Sequence, residues 1–135
     1  MSNILEVKFS AKSENESLSR VIVASFAAKL DPTLDELSDI KMAVSEAVTN
    51  SIVHGYEEDE SKFVYLRCEL EDRMIKVVIE DRGKGIEDIK QAMQPMYTSK
   101  PELDRAGMGF SFMESFMDTL EVVSIKGEGT KVVMT

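Results

Sequence analysis

The sequence predicts an α+β fold, a two-layer sandwich in which helices cover one face of a mixed, mostly antiparallel sheet. Several short stretches alternate apolar and polar residues, which is typical of half-buried strands. Two longer stretches carry apolar residues every three or four positions, which is typical of amphipathic helices. The order along the chain is strand, two helices, strand pair, short helix, long loop, helix and strand pair. This order gives the sandwich.

The N-terminal part of the chain predicts one strand and two helices. Leu5, Val7 and Phe9 alternate with charged residues and form the strand. SENE at 13–16 matches a capping box with Ser13 as N-cap. The helix that follows has one apolar side, made of Leu18, Val21, Ile22, Phe26 and Leu30, and Arg20 points away from it. TLDE at 33–36 is a second capping box, and the helix that it opens ends at Gly55, where a left-handed residue costs least.

The second helix has an unusual polar side. Ile40, Val44, Ala47, Val48 and Ser51 share a narrow apolar side, whereas Glu46 and Asn50 project together roughly 120° away from it. His54 follows one turn later. The helix period allows two interpretations, a solvated face with three polar residues or one wall of a functional site.

A strand pair follows an acidic loop. The residues at 64–70 and 75–79 alternate in polarity around a turn at 71–73. Continuing the period of two places Asp81 on the inward side with Ile75, Val77 and Ile79. Because an inward carboxylate is costly unless it is paired, Asp81 is a stronger functional candidate than any surface acid of the chain.

Glycines mark two further candidate segments. The chain leaves the strand through Gly83 and Gly85, and a short helix at 87–93 is predicted next. The loop at 94–106 contains two prolines, and its length predicts a functional lid. Gly107-Met108-Gly109 then opens a helix, with Phe110, Met113 and Phe116 inward, and such glycine-rich N-termini bind phosphates. A hairpin closes the chain, with strands at 120–125 and 130–134 around a turn at 127–129.

Length and composition limit the class of protein. The 135 residues predict a single domain, 1–135. The net charge of −9 argues against nucleic acid or an anionic membrane as the main partner and favours a basic protein surface. The sequence shows no membrane span or signal peptide, so the expected location is the cytoplasm. Cys68 is the only cysteine, which excludes an internal disulfide, and it is expected to be buried in a strand.

The separate motifs fit one chemistry, which is nucleotide binding with magnesium. Mg²⁺ keeps waters and phosphate oxygens, so Asn50 alone is an adequate protein ligand, and Glu46 is placed to accept a proton. EAVTN at 46–50, DRGKG at 81–85, GMG at 107–109 and GEGT at 127–130 resemble the N, G1, G2 and G3 motifs of the GHKL ATPases. The resemblance spans almost the whole chain and implies their Bergerat-type fold. It is strongest to the anti-sigma factor serine kinases of that family.

The resemblance implies a role for each matching residue. Glu46 is expected to be the general base, and Asn50 the Mg²⁺ ligand beside the phosphates of ATP or ADP. Asp81 is expected to bind the adenine amino group. The remaining nucleotide contacts are expected from Gly83, Gly85 and Thr130 around the base, and from His54, Thr98, Ser99, Lys100, Arg105, Gly107, Met108 and Gly109 around the phosphates. Arg20 is expected on the surface that binds partner proteins. Arg82 departs from the wider family, in which an acidic residue or Asn is common there.

The function that the resemblance implies has two parts. The chain is expected to bind and silence a sporulation sigma factor of the sigma F type, and to use Mg-ATP to phosphorylate a serine of an anti-anti-sigma protein. A homodimer is also expected. Because His54 is the only histidine and lies in the N motif helix, the phosphate acceptor must be another protein. Two alternatives stay open, a related anti-sigma kinase of the general stress response and an ATP-binding interaction module without kinase activity.

Overall fold

A computed structural model describes residues 3–83, 117–125 and 129–135 of the chain. Two helices and five strands lie in these ranges, together with a 3-10 turn, Ala28–Leu30, and a π-helical turn, Ser51–Gly55, that continues the second helix. The helices are α1 (Ser13–Ala27) and α2 (Leu34–Asn50), and the strands are β1 (Asn3–Ser10), β2 (Phe63–Glu71), β3 (Met74–Asp81), β4 (Leu120–Ile125) and β5 (Gly129–Met134).

The five strands form one sheet in the order β1-β2-β3-β5-β4. Every pairing between these described strands is antiparallel, and β3 lies in the middle. The core joins residues of both helices to the inward side of the sheet, so the predicted α+β sandwich is confirmed. None of the described helices is long and apolar enough to cross a membrane.

The inward side of the central strands is as the alternation predicts. Val64, Leu66, Cys68 and Leu70 of β2 are buried, and so are Ile75, Val77 and Ile79 of β3. Burial raises the pKa of the Cys68 thiol to about 12, so the thiol stays protonated and packs as a small apolar group. Asp81 ends β3 on this same inward side and is only 4% exposed. The prediction of an inward carboxylate is therefore confirmed.

Two predictions for α1 are wrong. Ser13 is already helical, and the N-cap is Lys12, which makes no side-chain cap bond. Glu16 does not reach back to cap the helix, because its carboxylate pairs with Arg20, Nε to Oε1, at 3.0 Å. The start of the helix is held instead by Asn15, whose side-chain amide donates to the carbonyl of Ser10 at 2.9 Å.

The apolar side of α1 is also displaced from the predicted one. Leu18 and Val21 are exposed, at 51% and 60% of their surface, whereas Ser19 and Val23 are buried together with Phe26. Ser19 can occupy the helix interface because it is small and its hydroxyl donates to the carbonyl of Glu16 at 2.6 Å. The helix therefore buries a face that includes a polar residue, and two large apolar residues remain at the surface.

The start of α2 agrees with the prediction and its end does not. The Thr33 hydroxyl accepts from the Glu36 backbone N–H at 3.1 Å, and the Glu36 carboxylate accepts from the Thr33 N–H at 2.9 Å, which is the predicted capping box. At the other end, Gly55 is the last helical residue, but the left-handed residues are Glu57 and Glu58. The π-helical turn replaces the expected glycine cap.

Several predicted elements lie outside the described residues. These are the short helix at 87–93, the loop at 94–106, the helix with Phe110, Met113 and Phe116, and the first two residues of the turn at 127–129.

Candidate functional site

Residues 43–48 of α2 are buried without exception, and this stretch includes Glu46. Only 3% of the surface of Glu46 is exposed, which excludes the solvated-face interpretation for this residue. Removing a carboxylate from water is expensive, and buried acids of this kind are candidates for a functional site. Asn50 and His54 are half-buried. Within the described part of the chain, Nδ2 of Asn50 is buried and has no hydrogen-bond partner.

Asp81 is held by donors from three parts of the chain. The Gly83 backbone N–H donates to Oδ1 at 3.0 Å. The Ser51 hydroxyl and the Thr130 backbone N–H also donate to the carboxyl group. Burial raises the pKa of Asp81, and these three donors oppose that rise. The carboxyl group is thus fixed in position and surrounded by groups that favour its ionised form.

Three glycines allow the backbone to close around Asp81. A Cβ on Gly55 would lie 2.8 Å from the Asp81 carboxyl group, and one on Gly83 would lie 2.0 Å from the Gly55 carbonyl oxygen. Gly129 has a φ of +116°, and a Cβ there would meet the Asp81 carbonyl oxygen at 2.2 Å. No side chain fits at these distances. The end of the helix, the end of β3 and the start of β5 are therefore in direct backbone contact.

Tyr56 connects two of these segments. Its hydroxyl donates to the Phe63 carbonyl at 2.6 Å and accepts from the Arg82 backbone N–H at 2.7 Å. Burial raises the pKa of Tyr56, so the phenol keeps the proton that it donates. The Arg82 guanidinium turns outward and lies 4.5 Å from the centre of the Tyr65 ring.

The π-helical turn alters the helix geometry next to the site. The Tyr56 N–H bonds to the Ser51 carbonyl at 2.9 Å, five residues back instead of four. A π turn takes in one extra residue, so the α-helical period that relates Glu46 to Asn50 does not extend to His54. Such turns are frequently found at functional sites.

The structure brings together part of the predicted set. Asp81, Gly83 and Thr130 meet, and the end of the α2 helix, which carries Ser51 and Gly55, lies against them. Arg20 lies on α1, where it pairs with Glu16 and donates to the Ser17 hydroxyl. The other predicted contacts lie outside the described residues: Gly85, Thr98, Ser99, Lys100, Arg105, Gly107, Met108 and Gly109.

Sequence reasoning missed two contributors to this site. It placed Ser51 in the apolar stripe of α2, and it gave Tyr56 no role. A serine at the end of an otherwise apolar stripe was a weak signal, since small polar residues are common on buried helix sides. Nothing in the local pattern marks Tyr56, because its two partners are at positions 63 and 82.

The described residues offer one candidate for a metal ligand. They contain no cluster of three or more His, Cys, Asp or Glu side chains that could hold an ion. A magnesium ion bound mainly by phosphate oxygens and waters needs no such cluster. The unpartnered atom of the buried Asn50 amide is its Nδ2, a donor that suits a phosphate oxygen, and the carbonyl oxygen Oδ1 is the atom that would bind the ion.

Comparison with known proteins identifies the family of the chain. Residues 9–135 match the family described as "Histidine kinase-like ATPase domain". The chain is 57% identical over 134 residues to the anti-sigma F factor of Clostridium perfringens strain SM101, covering 99% of this chain and 96% of that protein. It is 58% identical over 134 residues to the anti-sigma F factor of Clostridium acetobutylicum, covering 99% and 93%.

One solved structure shares the fold. The crystal structure of the RsbU and RsbW domains of Rv1364c from Mycobacterium tuberculosis superposes with a TM-score of 0.69 at 16% identity, covering 98% of this chain and 31% of that chain. At this identity the likeness concerns the fold alone. With a family match over residues 9–135 and relatives matched along their length, the chain belongs to the family of histidine kinase-like ATPase domains, in the group that includes the anti-sigma F factors.

Proposed function

We propose that the chain is an anti-sigma factor and a serine protein kinase, which binds a sigma factor of the sigma F type and uses Mg-ATP to phosphorylate a serine of an anti-anti-sigma protein. The observation that carries the kinase part is Glu46, a carboxylate that is 3% exposed within an ATPase fold, one helical turn from the amide of Asn50. A site that only held a nucleotide would have no evident need for this buried acid.

The base of the nucleotide is assigned to the pocket at Asp81. Its carboxylate is the acceptor for the adenine amino group, and the donors from Ser51, Gly83 and Thr130 orient it and oppose the rise in pKa that burial causes. Gly55 and Gly83 let the backbone pack directly against the Asp81 carboxyl group and against each other, which fixes the position of that group. The phosphates are assigned to His54 and to the predicted residues at 98–100, 105 and 107–109.

The chemical step is a transfer of the γ-phosphoryl group. The serine hydroxyl of the substrate protein attacks the γ-phosphorus, the bond to the bridging β–γ oxygen breaks, and ADP leaves. Glu46 accepts the hydroxyl proton, so the charge and the proton balance within the site. Asn50 is the residue that would hold Mg²⁺ through its side-chain oxygen, and the ion would neutralise charge on the phosphates.

The partner proteins are assigned from the relatives and from α1. The anti-sigma F factors named above are 57% and 58% identical to the chain, which supports a sigma factor as partner and a cytoplasmic location. Arg20 is 38% exposed, and its guanidinium is oriented by Glu16. Leu18 and Val21 on the same helix are exposed apolar residues. An arginine beside apolar side chains is a common composition for a protein interface.

The test of this function combines the chain with its two kinds of partner. Purified chain, Mg-ATP carrying a labelled γ-phosphate and an anti-anti-sigma protein are expected to give phosphoserine on that protein. A sigma F pull-down is expected to retain the chain. Nucleotide binding without transfer would contradict the kinase assignment and favour the interaction module, whereas capture of a stress-response sigma factor in preference to sigma F would contradict the partner.

We also propose that the chain forms a homodimer through the outer face of its sheet, which lies on the side opposite to α1 and α2. One row of paired positions crosses this face and reads Glu6, Arg67, Val78, Val133, Glu121. Two valines thus lie at the centre, and charges of both signs flank them. In a two-fold dimer each patch meets its own copy, so an apolar centre with both signs of charge beside it is self-complementary.

Placing a charge at the centre of this face is expected to convert the dimer into a monomer. Val133→Glu brings the carboxylates of the two copies together. The repulsion between them costs more free energy than a small interface provides. Sedimentation equilibrium measures the mass directly. Leu34→Glu, at an 85% exposed position on the helix layer, is the matched control and should leave the mass unchanged. A Val133→Glu protein that keeps the wild-type mass, or a monomeric wild type, would contradict this interface.

A further inference from the structure

We infer that the Tyr56 hydroxyl is a positioning group for nucleotide recognition, acting through the loop that carries Asp81 and Gly83. The inference rests on the proposed adenine site. It assigns a task to a side chain that follows the N motif and is 7% exposed, and whose partners at 63 and 82 are too distant in sequence for a local pattern to reveal that task.

The Tyr56 hydroxyl bonds to two backbone groups that the strand pairing does not bring together. It accepts from the Arg82 N–H at 2.7 Å and donates to the Phe63 carbonyl at 2.6 Å. Arg82 lies between Asp81 and Gly83, so the bond from the Arg82 N–H holds the middle of the loop that carries these two residues. Phe63 is the first residue of β2, so the second bond ties that loop to the start of the neighbouring strand.

The backbone of Tyr56 is also fixed. Its N–H closes the π-helical turn on the Ser51 carbonyl at 2.9 Å, and Ser51 is a hydroxyl donor to Asp81. The residue before Tyr56 is Gly55, whose carbonyl lies against Gly83. Tyr56 is therefore bonded through its backbone to the π-helical turn, and through its side chain to the start of β2 and to the residue that follows β3.

Removing the hydroxyl should loosen this loop and leave the core packing unchanged. Phe fills the space of the ring, so Tyr56→Phe keeps the apolar contacts and leaves the Arg82 N–H and the Phe63 carbonyl without their partner. The Asp81 carboxylate then samples more orientations, and a ligand must bear the cost of ordering it. The loss falls on contacts with the purine amino group, because that is what the carboxylate recognises in the proposed site.

The experiment compares ADP with inosine diphosphate, which replaces the adenine amino group with an oxygen. We expect Tyr56→Phe to raise the Kd for ADP by about tenfold, and the Kd for inosine diphosphate by much less, so that the preference for ADP narrows. Tyr65→Phe is the matched control: it removes a hydroxyl from a half-buried tyrosine on β2 but keeps the ring against Arg82, and both Kd values should stay within about twofold of wild type.

The outcomes separate this inference from the proposed function. If wild-type protein does not bind ADP, or does not prefer it to inosine diphosphate, the proposed adenine site is wrong. If wild type binds and prefers ADP, three results overturn the role of Tyr56: an unchanged Kd for ADP in Tyr56→Phe, an equal loss of affinity for both nucleotides, or a variant that does not fold. The last two results would mean that the hydroxyl stabilises the fold in general and does not position the nucleotide site.

Discussion

Replacing Glu46 by glutamine is expected to stop phosphoryl transfer while nucleotide binding continues. The two side chains have nearly the same shape, so the buried position on α2 can accept the change. An amide does not accept the proton of the substrate serine, and general-base catalysis contributes roughly 10²- to 10⁴-fold to a rate. We therefore expect the single-turnover transfer rate at saturating Mg-ATP to fall by at least about a hundredfold. The Kd for ADP, measured by calorimetry, should change by less than about twofold.

Asp39→Asn is a control for this experiment on the same helix. Asp39 is a half-buried carboxylate of α2, about two turns before Glu46, and the same chemical change there should leave the transfer rate near that of wild type. Full activity in Glu46→Gln would show that the assignment of the base is wrong. A parallel loss of ADP binding would show instead that Glu46 has a structural task.

Asp81→Asn is expected to weaken adenine nucleotide binding by about tenfold to a hundredfold. Three donors converge on this side chain, from Ser51, Gly83 and Thr130, and the adenine amino group would be a fourth. A carboxylate can accept from all of them. An asparagine amide presents one nitrogen that must itself donate, so at least one buried donor loses its acceptor.

The control for Asp81→Asn is Glu80→Gln, which changes the adjacent carboxylate on the opposite side of β3. Glu80 is half-buried and pairs in register with Tyr65, and its charge adds to the effect of burial in raising the pKa of Asp81. The Glu80→Gln protein loses this charge and keeps the three donors to Asp81, so it should bind ADP at least as well as wild type does. An Asp81→Asn protein with wild-type affinity for ADP would refute the adenine assignment, whatever its stability.

The raised pKa of Asp81 predicts opposite pH trends for stability and for binding. Because burial raises the pKa above that of the unfolded chain, this group stabilises the ligand-free fold fully below its unfolded pKa. The contribution is lost as the pH rises through the folded pKa. Relative to Asp81→Asn, ligand-free wild type should thus gain melting temperature as the pH is lowered through this window.

Nucleotide binding should respond to pH in the other direction. The adenine amino group donates to the ionised carboxylate, so the affinity of wild type for ADP should fall as Asp81 takes up its proton. The affinity of Asp81→Asn should lack this dependence. Melting curves and Kd values measured from neutral pH down to about pH 4 test both trends. A wild-type affinity that changes with pH only as the variant does would contradict the link to Asp81.

Local periodicity was enough to predict the strands of the sheet and the inward position of Asp81. The period of two along β3 placed Asp81 inward because a strand cannot change face without a bulge, and the carboxylate is indeed 4% exposed. The Thr33 capping box was predictable for a similar reason, since both of its bonds are made within four residues. These features depend on interactions close in sequence.

The features that were predicted wrongly or missed depend on competing interactions or on partners distant in sequence. Ser13 is not the N-cap, since the helix begins at Ser13 itself after Lys12, and Glu16 pairs with Arg20 instead of with the helix start. The apolar spacing of Leu18 and Val21 did not decide the buried face of α1, since Ser19 satisfies its own hydroxyl and packs inside. Tyr56 bonds to Phe63 at the start of β2 and to Arg82 just after β3, and no local pattern in the sequence indicates such contacts.

The middle position of β3 has a consequence for how the molecule opens. A central strand is paired on both sides, so its amides exchange with solvent only when the whole sheet separates, whereas edge strands such as β1 and β4 open at lower cost. Asp81 is the last residue of that central strand. Its register partner is Thr130 of β5, which is itself an inner strand of the described sheet, so partial opening at β1 or at β4 leaves the group assigned to adenine in place.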